Sequence, residues 1–213
     1  MLCKIPEPER SEADIRREEK KAIRQNDVRL HYADRLMLLS LRENAGFGKD
    51  RFDKYNAEGY VLGRDYIERY SILDKKAEEY AVDSYWALRR DIRDDCGWDP
   101  EVQLWKDSVF ETFPADGNTR SIREKHDHRV TYGRGISFYA KQMITMGVAY
   151  LRREYGWGMV KLCRVTEPVR EGYLAMMRQY LRCSAEGDRV MGAMITDVRK
   201  RYNDMQMFSV AYR

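Results

Sequence analysis

The sequence predicts an all-α protein, and three observations lead to that prediction. Only five prolines occur in 213 residues, and so few helix breakers favour long helices. Apolar residues recur at helical spacing in most segments. Three segments end in a glycine followed directly by an aromatic residue, a common way for a helix to end. We therefore expect a bundle of divergent αα-hairpins with little or no β-structure.

The repeated unit consists of a helix, a glycine turn and a second helix. Its three copies lie at 41–52, 92–104 and 151–162. Each copy has an aliphatic residue five positions before the glycine, an arginine four before it and an aromatic residue directly after it. These residues are Leu41, Ile92 and Leu151; Arg42, Arg93 and Arg152; and Phe47, Trp98 and Trp157.

Helix-ending chemistry accounts for most of this pattern. Glycine at the first non-helical position tolerates the left-handed conformation, and the next residue folds back onto the helix. The pattern thus predicts Schellman-type helix stops with buried aromatic residues. In the second copy, Asp99 as N-cap and Pro100 at the first helical position predict the start of a further helix. A helix-turn-helix that reads DNA usually has a small residue where these copies have arginine, so we expect packing hairpins.

Composition and local pattern divide the chain into four parts. Residues 1–26 mix acidic and basic residues and are expected to form a solvated helix. Residues 27–105 hold the first two units. Residues 106–136 contain Pro114, Gly117, Gly133 and Gly135, and we expect a long loop or linker there. Residues 137–213 hold the third unit, a helix near 188–202 and, at the end of the chain, an extended strand or arm.

The lack of a secretory signal and of an apolar span predicts a cytosolic protein. The net charge of +4 is mild, and it permits an acidic partner without requiring one. The N-terminus lacks the apolar stretch of a secretory signal, and no segment is apolar enough to span a membrane. The four cysteines, Cys3, Cys96, Cys163 and Cys183, show no CxxC spacing, so we expect thiols rather than disulfides.

Two groups of residues are the candidate binding residues. The first is the set of arginines beside the glycine turns, since a helix stop does not require arginine there. The second is the basic part of the expected loop, which also carries an aromatic residue. The candidates are Arg42, Arg93, Arg152, Arg120, Arg123, Lys125, Arg129, Tyr132 and Arg134.

The sequence offers little support for catalysis or cofactor binding. His126 and His128 flank Asp127, and alternate histidines can bind a metal, but no spacing supplies a third and fourth ligand. No phosphate-binding loop or nucleophile motif is present. We expect a non-enzymatic protein without cofactor or metal.

The segment LMLLSLRENAGFGKDRF (36–52) resembles small helical proteins encoded in prophages and mobile elements of Gram-positive gut bacteria. Residues 148–162 show a weaker form of the same pattern. The resemblance implies a phage or mobile-element origin and a host bacterial cytoplasm. Such an origin favours a protein that binds a host or phage macromolecule, for example an anti-CRISPR-like inhibitor of a defence nuclease. The alternative is a nucleic-acid-binding regulator that uses the basic loop and the turn arginines; a structural virion component is a third possibility.

Overall fold

A computed structural model describes residues 31–71, 77–110 and 120–210. The expected helix within 1–26 lies outside the described residues. The described part of the chain is all-α and contains no strand, as the sequence predicts. Its helices are α1 (31–45), α2 (Lys49–Ser71), α3 (Ala77–Cys96), α4 (Pro100–Gln103), α5 (Arg120–Tyr155), α6 (Met159–Leu181) and α7 (Ala185–Val210), with a 3-10 turn at Asp107–Phe110.

The three glycine turns have the predicted left-handed backbone. The φ angles are +64° at Gly46, +78° at Gly97 and +63° at Gly156. In each turn the glycine N–H donates to the carbonyl oxygen of the arginine four residues earlier, at 3.1, 2.8 and 2.9 Å respectively. A bond from the glycine N–H to the carbonyl four residues earlier defines the αL form of helix stop. In the first turn the Phe47 N–H also donates to the Leu41 carbonyl oxygen at 3.2 Å. The expected Schellman form, in which the glycine N–H donates three residues back and the next N–H five residues back, is wrong in this detail.

The aromatic residues after the glycines are buried as predicted. Phe47, Trp98 and Trp157 are 2%, 0% and 5% exposed. Rings of this size contribute much of the apolar burial in a core. The glycine turns therefore anchor the helix ends in the core.

Two helix pairs form the centre of the bundle. On one side, α1 packs on α6, where Ser40 Oγ donates to the Val165 carbonyl oxygen at 2.7 Å. On the other side, α2 packs on α5, where the rings of Tyr55 and Tyr150 meet edge to face with centroids 5.6 Å apart. The turns after α1 and α5 also contact each other, since the ring centroids of Phe47 and Trp157 are 5.8 Å apart. Both turns therefore lie at one end of the bundle, which we call the turn end.

The contacts between the helices α1 and α2 and the helices α5 and α6 follow a reciprocal pattern. A shift of 110 positions carries Phe47 to Trp157, Ser40 to Tyr150 and Tyr55 to residue 165. The Ser40 contact with residue 165 and the Tyr150 contact with Tyr55 thus involve equivalent positions in the two copies. Phe47 and Trp157, which are also equivalent, contact each other.

The remaining helices extend this four-helix centre. α3 packs on α2 and α5, and α7 packs on α6. The second glycine turn also lies at the turn end, because Asp95 just before it forms an ion pair with Arg152. All three repeated turns therefore meet in one region.

The expected loop at 106–136 is wrong for most of its length. Residues from Arg120 onward belong to α5, a single helix of 36 residues. Gly133 lies inside this helix. A Cβ at this position would stand 2.9 Å from the side chains of Phe110 and Met177, so only glycine fits there without a shift of these side chains. That glycine permits close packing of the 3-10 turn and α6 against α5, rather than breaking the helix. Residues 111–119 lie outside the described part.

The expected C-terminal arm is also helical where the structure describes it. α7 continues to Val210, beyond the helix of 188–202 that the sequence pattern indicates. None of the described helices is both long and apolar enough to cross a bilayer.

Candidate binding surfaces

The three turn arginines lie at the turn end but differ in their contacts. Arg42 is exposed on α1. Arg93 is exposed and bonds to its neighbour Asp94 at 3.2 Å. Arg152 instead joins two helices, because its guanidinium bonds to both carboxylate oxygens of Asp95 at 2.6 and 3.2 Å.

Arg152, in the third unit, connects α5 to α3 through its ion pair with Asp95. The hydrogen bond from its guanidinium, helped by its charge, lowers the pKa of Asp95. Its Nη1 also donates to the carbonyl oxygen of Gly156 at 3.3 Å. The side chain therefore closes its own helix stop and fastens the end of α3 to the end of α5. These contacts explain the arginine in this copy without a binding role.

Two further cations lie at the turn end and are not among the residues predicted from the sequence. Arg51 lies over the Phe47 ring at 5.7 Å and Lys161 lies over the Trp157 ring at 4.5 Å. Both cations follow their ring by four residues and lie in the first turn of the helix after the glycine turn. This spacing is a signal in the sequence, but it occurs only in the first and third copies, since the second has Val102 there.

The basic stretch forms the N-terminal half of α5, and one of its arginines is structural. Arg129 Nη1 donates to the Tyr180 carbonyl oxygen at 2.6 Å, near the end of α6. The same nitrogen lies 2.9 Å from an oxygen of Asp188 in the first turn of α7. Arg129 therefore stabilises the corner between α6 and α7. Lys125 lies at the edge of this contact, 3.9 Å from Asp188.

The other basic-stretch residues are distributed along α5. Arg123 and Arg134 are exposed, and the Tyr132 ring stacks on His128 with centroids 5.8 Å apart; Arg120 begins the helix. Because a helix rises about 1.5 Å per residue, Arg134 and Arg152 are separated by about 27 Å along the axis. The nine candidate residues thus fall into two distant groups and do not form one continuous surface.

The two histidines of the basic stretch do not complete a metal site. His126 lies 3.7 Å from Asp127, and His128 makes the ring contact already described. Within the described residues, no group of three or more histidine, cysteine or acidic side chains is arranged to hold a metal ion.

A charged network that the sequence does not predict joins α3, α4 and α5. Glu101 accepts a hydrogen bond from the Tyr85 hydroxyl at 2.7 Å and one from Lys141 Nζ at 2.9 Å. The Lys141 side chain is only 4% exposed, which is unusual for lysine. Burial, together with the bond to Glu101, raises the pKa of Tyr85 well above its usual range.

A second ion pair fixes the start of α4. Arg89 donates to both carboxylate oxygens of Asp99 at 2.8 Å, and Asp99 caps the helix by accepting from the Glu101 N–H at 2.9 Å. The N-cap prediction is confirmed. Burial acts to raise the pKa of Asp99, but the bonds from Arg89 and the Glu101 backbone outweigh it and hold the pKa below its usual value.

Above this network, four rings form a row across α3 and α5. Trp86, Tyr85, Phe138 and Tyr139 follow one another with centroid distances of 5.5, 5.2 and 5.9 Å. The two ends of the row are exposed, Trp86 to 47% and Tyr139 to 49%. We call these four residues the ring row.

An open groove runs between the 3-10 turn and α6. Its volume is about 720 Å³. Apolar side chains form its floor and charged side chains its rim: Leu104, Trp105, Val109 and Leu174 below, and Lys106, Arg170, Glu171 and Arg178 around them. Trp105 is held in place by stacking on Tyr173 with centroids 4.2 Å apart.

Comparison with known proteins adds no relative. No protein-family model, no curated protein and no solved structure matches this chain.

Proposed function

We propose that this protein acts by binding a macromolecular partner rather than by catalysis, and that the partner is a protein that contacts the ring row. The observation that carries the proposal is the exposure of Trp86 and Tyr139 at the two ends of that row. Tryptophan, tyrosine and arginine are the side chains that contribute most of the affinity at protein interfaces.

The exposed tryptophan is held in one orientation, which favours binding. The Arg89 guanidinium lies 4.8 Å from the centre of the Trp86 ring. That guanidinium is fixed in turn by its two bonds to Asp99. A side chain that is already ordered loses less conformational entropy when a partner covers it.

The resemblance of residues 36–52 to prophage proteins directs the search for this partner. We propose a phage or mobile-element origin, and a component of bacterial defence, such as a CRISPR nuclease, as the protein bound. A chain with a net charge of +4 lacks the dense acidic character of a DNA mimic. A surface that is complementary in shape to the partner, with the exposed rings as the main contacts, agrees better with this charge.

A pull-down tests this proposal. The tagged protein is incubated with lysate from a Gram-positive gut bacterium that carries a CRISPR nuclease, with and without added nuclease enzyme. We expect a defence protein to be recovered under both conditions. We also expect the double variant Trp86→Ala/Tyr139→Ala to recover at least tenfold less of it.

Val160→Ala is the matched control, because Val160 is 86% exposed at the turn end and its loss also removes apolar surface. Equal recovery by the wild type and the ring-row variant would exclude this surface. Recovery of chaperones alone would count against the inhibitor proposal.

A nucleic-acid-binding regulator remains a second candidate, and the arrangement of Lys125, His128 and Tyr132 on α5 favours it. These residues follow one another at helical spacing, and the two rings are stacked. A cation beside exposed rings suits contact with phosphates and bases. Affinity for a single-stranded RNA or DNA should then fall steeply between about 50 and 200 mM salt. Binding that is absent even at low salt would refute this candidate.

A further inference from the structure

Two cysteines lie on either side of the contact between the second glycine turn and α6. Cys96 ends α3 directly before the left-handed Gly97. A Cβ at Gly97 would stand 4.0 Å from the sulfur of Met159, which begins α6. Cys163 follows Met159 by four residues, so it lies on the same face of α6, one turn further on. The fold thus places Cys96 and Cys163 in one region, although they belong to different helices.

An electrostatic effect shows that the two thiols are neighbours. Burial raises the pKa of Cys163, and the charges of Glu167 and Cys96 raise it further, while Arg170 acts against them. Glu167 is one turn away on the same helix. Cys96 is on another helix, and its charge reaches Cys163 because the two side chains are near in space, since solvent and salt screen distant charges.

Both thiols are available for reaction. Cys96 and Cys163 are free and half-buried at the edge of the core, whereas Cys183 is only 7% exposed. Cys96 is also the last residue of its helix, and a helix end opens more easily than a helix interior. The end of α3 can therefore move toward α6 at little cost.

We propose that Cys96 and Cys163 form a reversible disulfide when hydrogen peroxide oxidises them. In the first step the Cys96 sulfur attacks one peroxide oxygen, the O–O bond breaks, and a sulfenic acid on Cys96 and one water result. In the second step the Cys163 sulfur attacks the Cys96 sulfur and the S–S bond forms. The hydroxyl group leaves with the Cys163 proton as a second water. The two thiols together lose two electrons, which the peroxide gains.

The surroundings assign Cys96 as the sulfur that reacts first. The raised pKa of Cys163 keeps this thiol protonated, and a protonated thiol is a poor nucleophile. The bond to Asp95 raises the pKa of Arg152, and the charge of Cys96 acts in the same direction, so the Arg152 guanidinium lies close to Cys96. A cation beside a cysteine favours attack by its sulfur.

The disulfide fastens the end of α3 to α6. In the reduced protein α3 packs on α2 and α5, and the ion pair between Asp95 and Arg152 holds its end. Cys96 follows Trp86 by ten positions, which corresponds to about 15 Å along the helix. The cysteine pair is therefore separate from the ring row, so the proposal goes beyond the proposed function and does not rest on it.

Oxidation of the dilute, folded full chain with a small excess of hydrogen peroxide tests the proposal. We expect the number of free thiols, measured with a thiol reagent after denaturation, to fall by two from the four of the reduced chain. A tryptic digest under non-reducing conditions should contain one new species, in which the peptides of Cys96 and Cys163 are joined. Dithiothreitol should restore all the thiols.

Single variants test the order of the two steps. Cys163→Ser should trap the sulfenic acid on Cys96, where dimedone labels it, whereas Cys96→Ser should give roughly tenfold less label on Cys163. Cys183→Ser is the matched control, because this thiol is buried, and it should still form the disulfide. Circular dichroism establishes that each variant is folded.

Four results would overturn the proposal. These are no loss of thiols before overoxidation to sulfinic acid, a disulfide that includes Cys3 or Cys183, a disulfide only between two chains on a non-reducing gel, and equal dimedone labelling of Cys163 in the folded Cys96→Ser variant.

Discussion

Removing either partner of the Glu101–Lys141 ion pair should destabilise the protein, and the two losses should be unequal. The Lys141 side chain is 4% exposed, whereas the Glu101 side chain is 26% exposed. Glu101→Gln removes a carboxylate that lies 2.9 Å from a buried ammonium. Lys141→Met leaves a carboxylate that water still reaches. The order of the two effects therefore follows from burial.

The expected magnitudes follow from the same geometry. Breaking a buried pair by removing one partner costs about 3–5 kcal/mol. For Glu101→Gln we expect the lower end, about 3 kcal/mol, because Gln still accepts from the Tyr85 hydroxyl. For Lys141→Met we expect about 1.5 kcal/mol, since the exposed part of Glu101 remains solvated. The double variant removes both charges and should lose only about 1.5 kcal/mol.

Urea unfolding followed by circular dichroism at 222 nm measures these free energies of unfolding, and the two single and one double variants complete a mutant cycle. The expected coupling between the two sites is about 3 kcal/mol, at the upper limit for contacting residues. Arg199→Met, at an exposed site on α7, is the control and should change stability by less than about 0.5 kcal/mol. A larger loss for Lys141→Met than for Glu101→Gln, or simple additivity in the double variant, would refute the reasoning.

Three further predictions use the same unfolding measurement. Gly156→Ala should cost about 1.5 kcal/mol because its φ is +63°, whereas Gly158→Ala, at an extended position with open space, should cost about 0.5 kcal/mol; equal costs would contradict the αL helix stop. Gly135→Ala should stabilise α5 by about 0.5–1 kcal/mol, since nothing lies within 4 Å of its added Cβ, but Gly133→Ala should destabilise it by about 1 kcal/mol because of the 2.9 Å contacts. Asp99→Asn keeps an effective cap and removes the charge, so it should cost about 2 kcal/mol at pH 7. The folded pKa of this carboxyl lies below its usual 3.8, so wild type has the advantage above that pH and loses it as the pH falls through the folded pKa; a difference that stays constant down to pH 2 would disprove the assigned role.

Local chemistry made the fold class and the turns predictable. Gly46, Gly97 and Gly156 each had a local reason to end a helix, and the aromatic residue after each had a local reason to be buried. Gly133 and Gly135 have the same side chain but lie within a helix. At Gly133 the close approach of Phe110 and Met177 explains the glycine, and that approach depends on tertiary packing, which no local window contains. Nothing in the structure explains the glycine at 135, where no atom lies within 4 Å of an added Cβ.

The candidate surfaces were less predictable because they depend on pairing at long range. Charge and type mark Arg129 as a binding residue, but its partners are 51 and 59 positions away. Lys141 and Glu101 are 40 positions apart, and neither stands out alone. The exposure of Trp86 could not be read from helical spacing, since most tryptophans at such positions pack inward.

The reciprocal contacts between the helices α1 and α2 and the helices α5 and α6 resemble those of a homodimer whose two subunits share one chain. In a true symmetric dimer, every change appears twice and on both sides of the axis. Here the equivalent positions already differ, with Ser40 against a backbone carbonyl on one side and Tyr150 against Tyr55 on the other. Covalent fusion thus frees each half to diverge: α3 packs on α2 and α5, whereas α4 and α7 pack on α6. Such a chain can present different surfaces to different partners while a shared, dimer-like centre supports both.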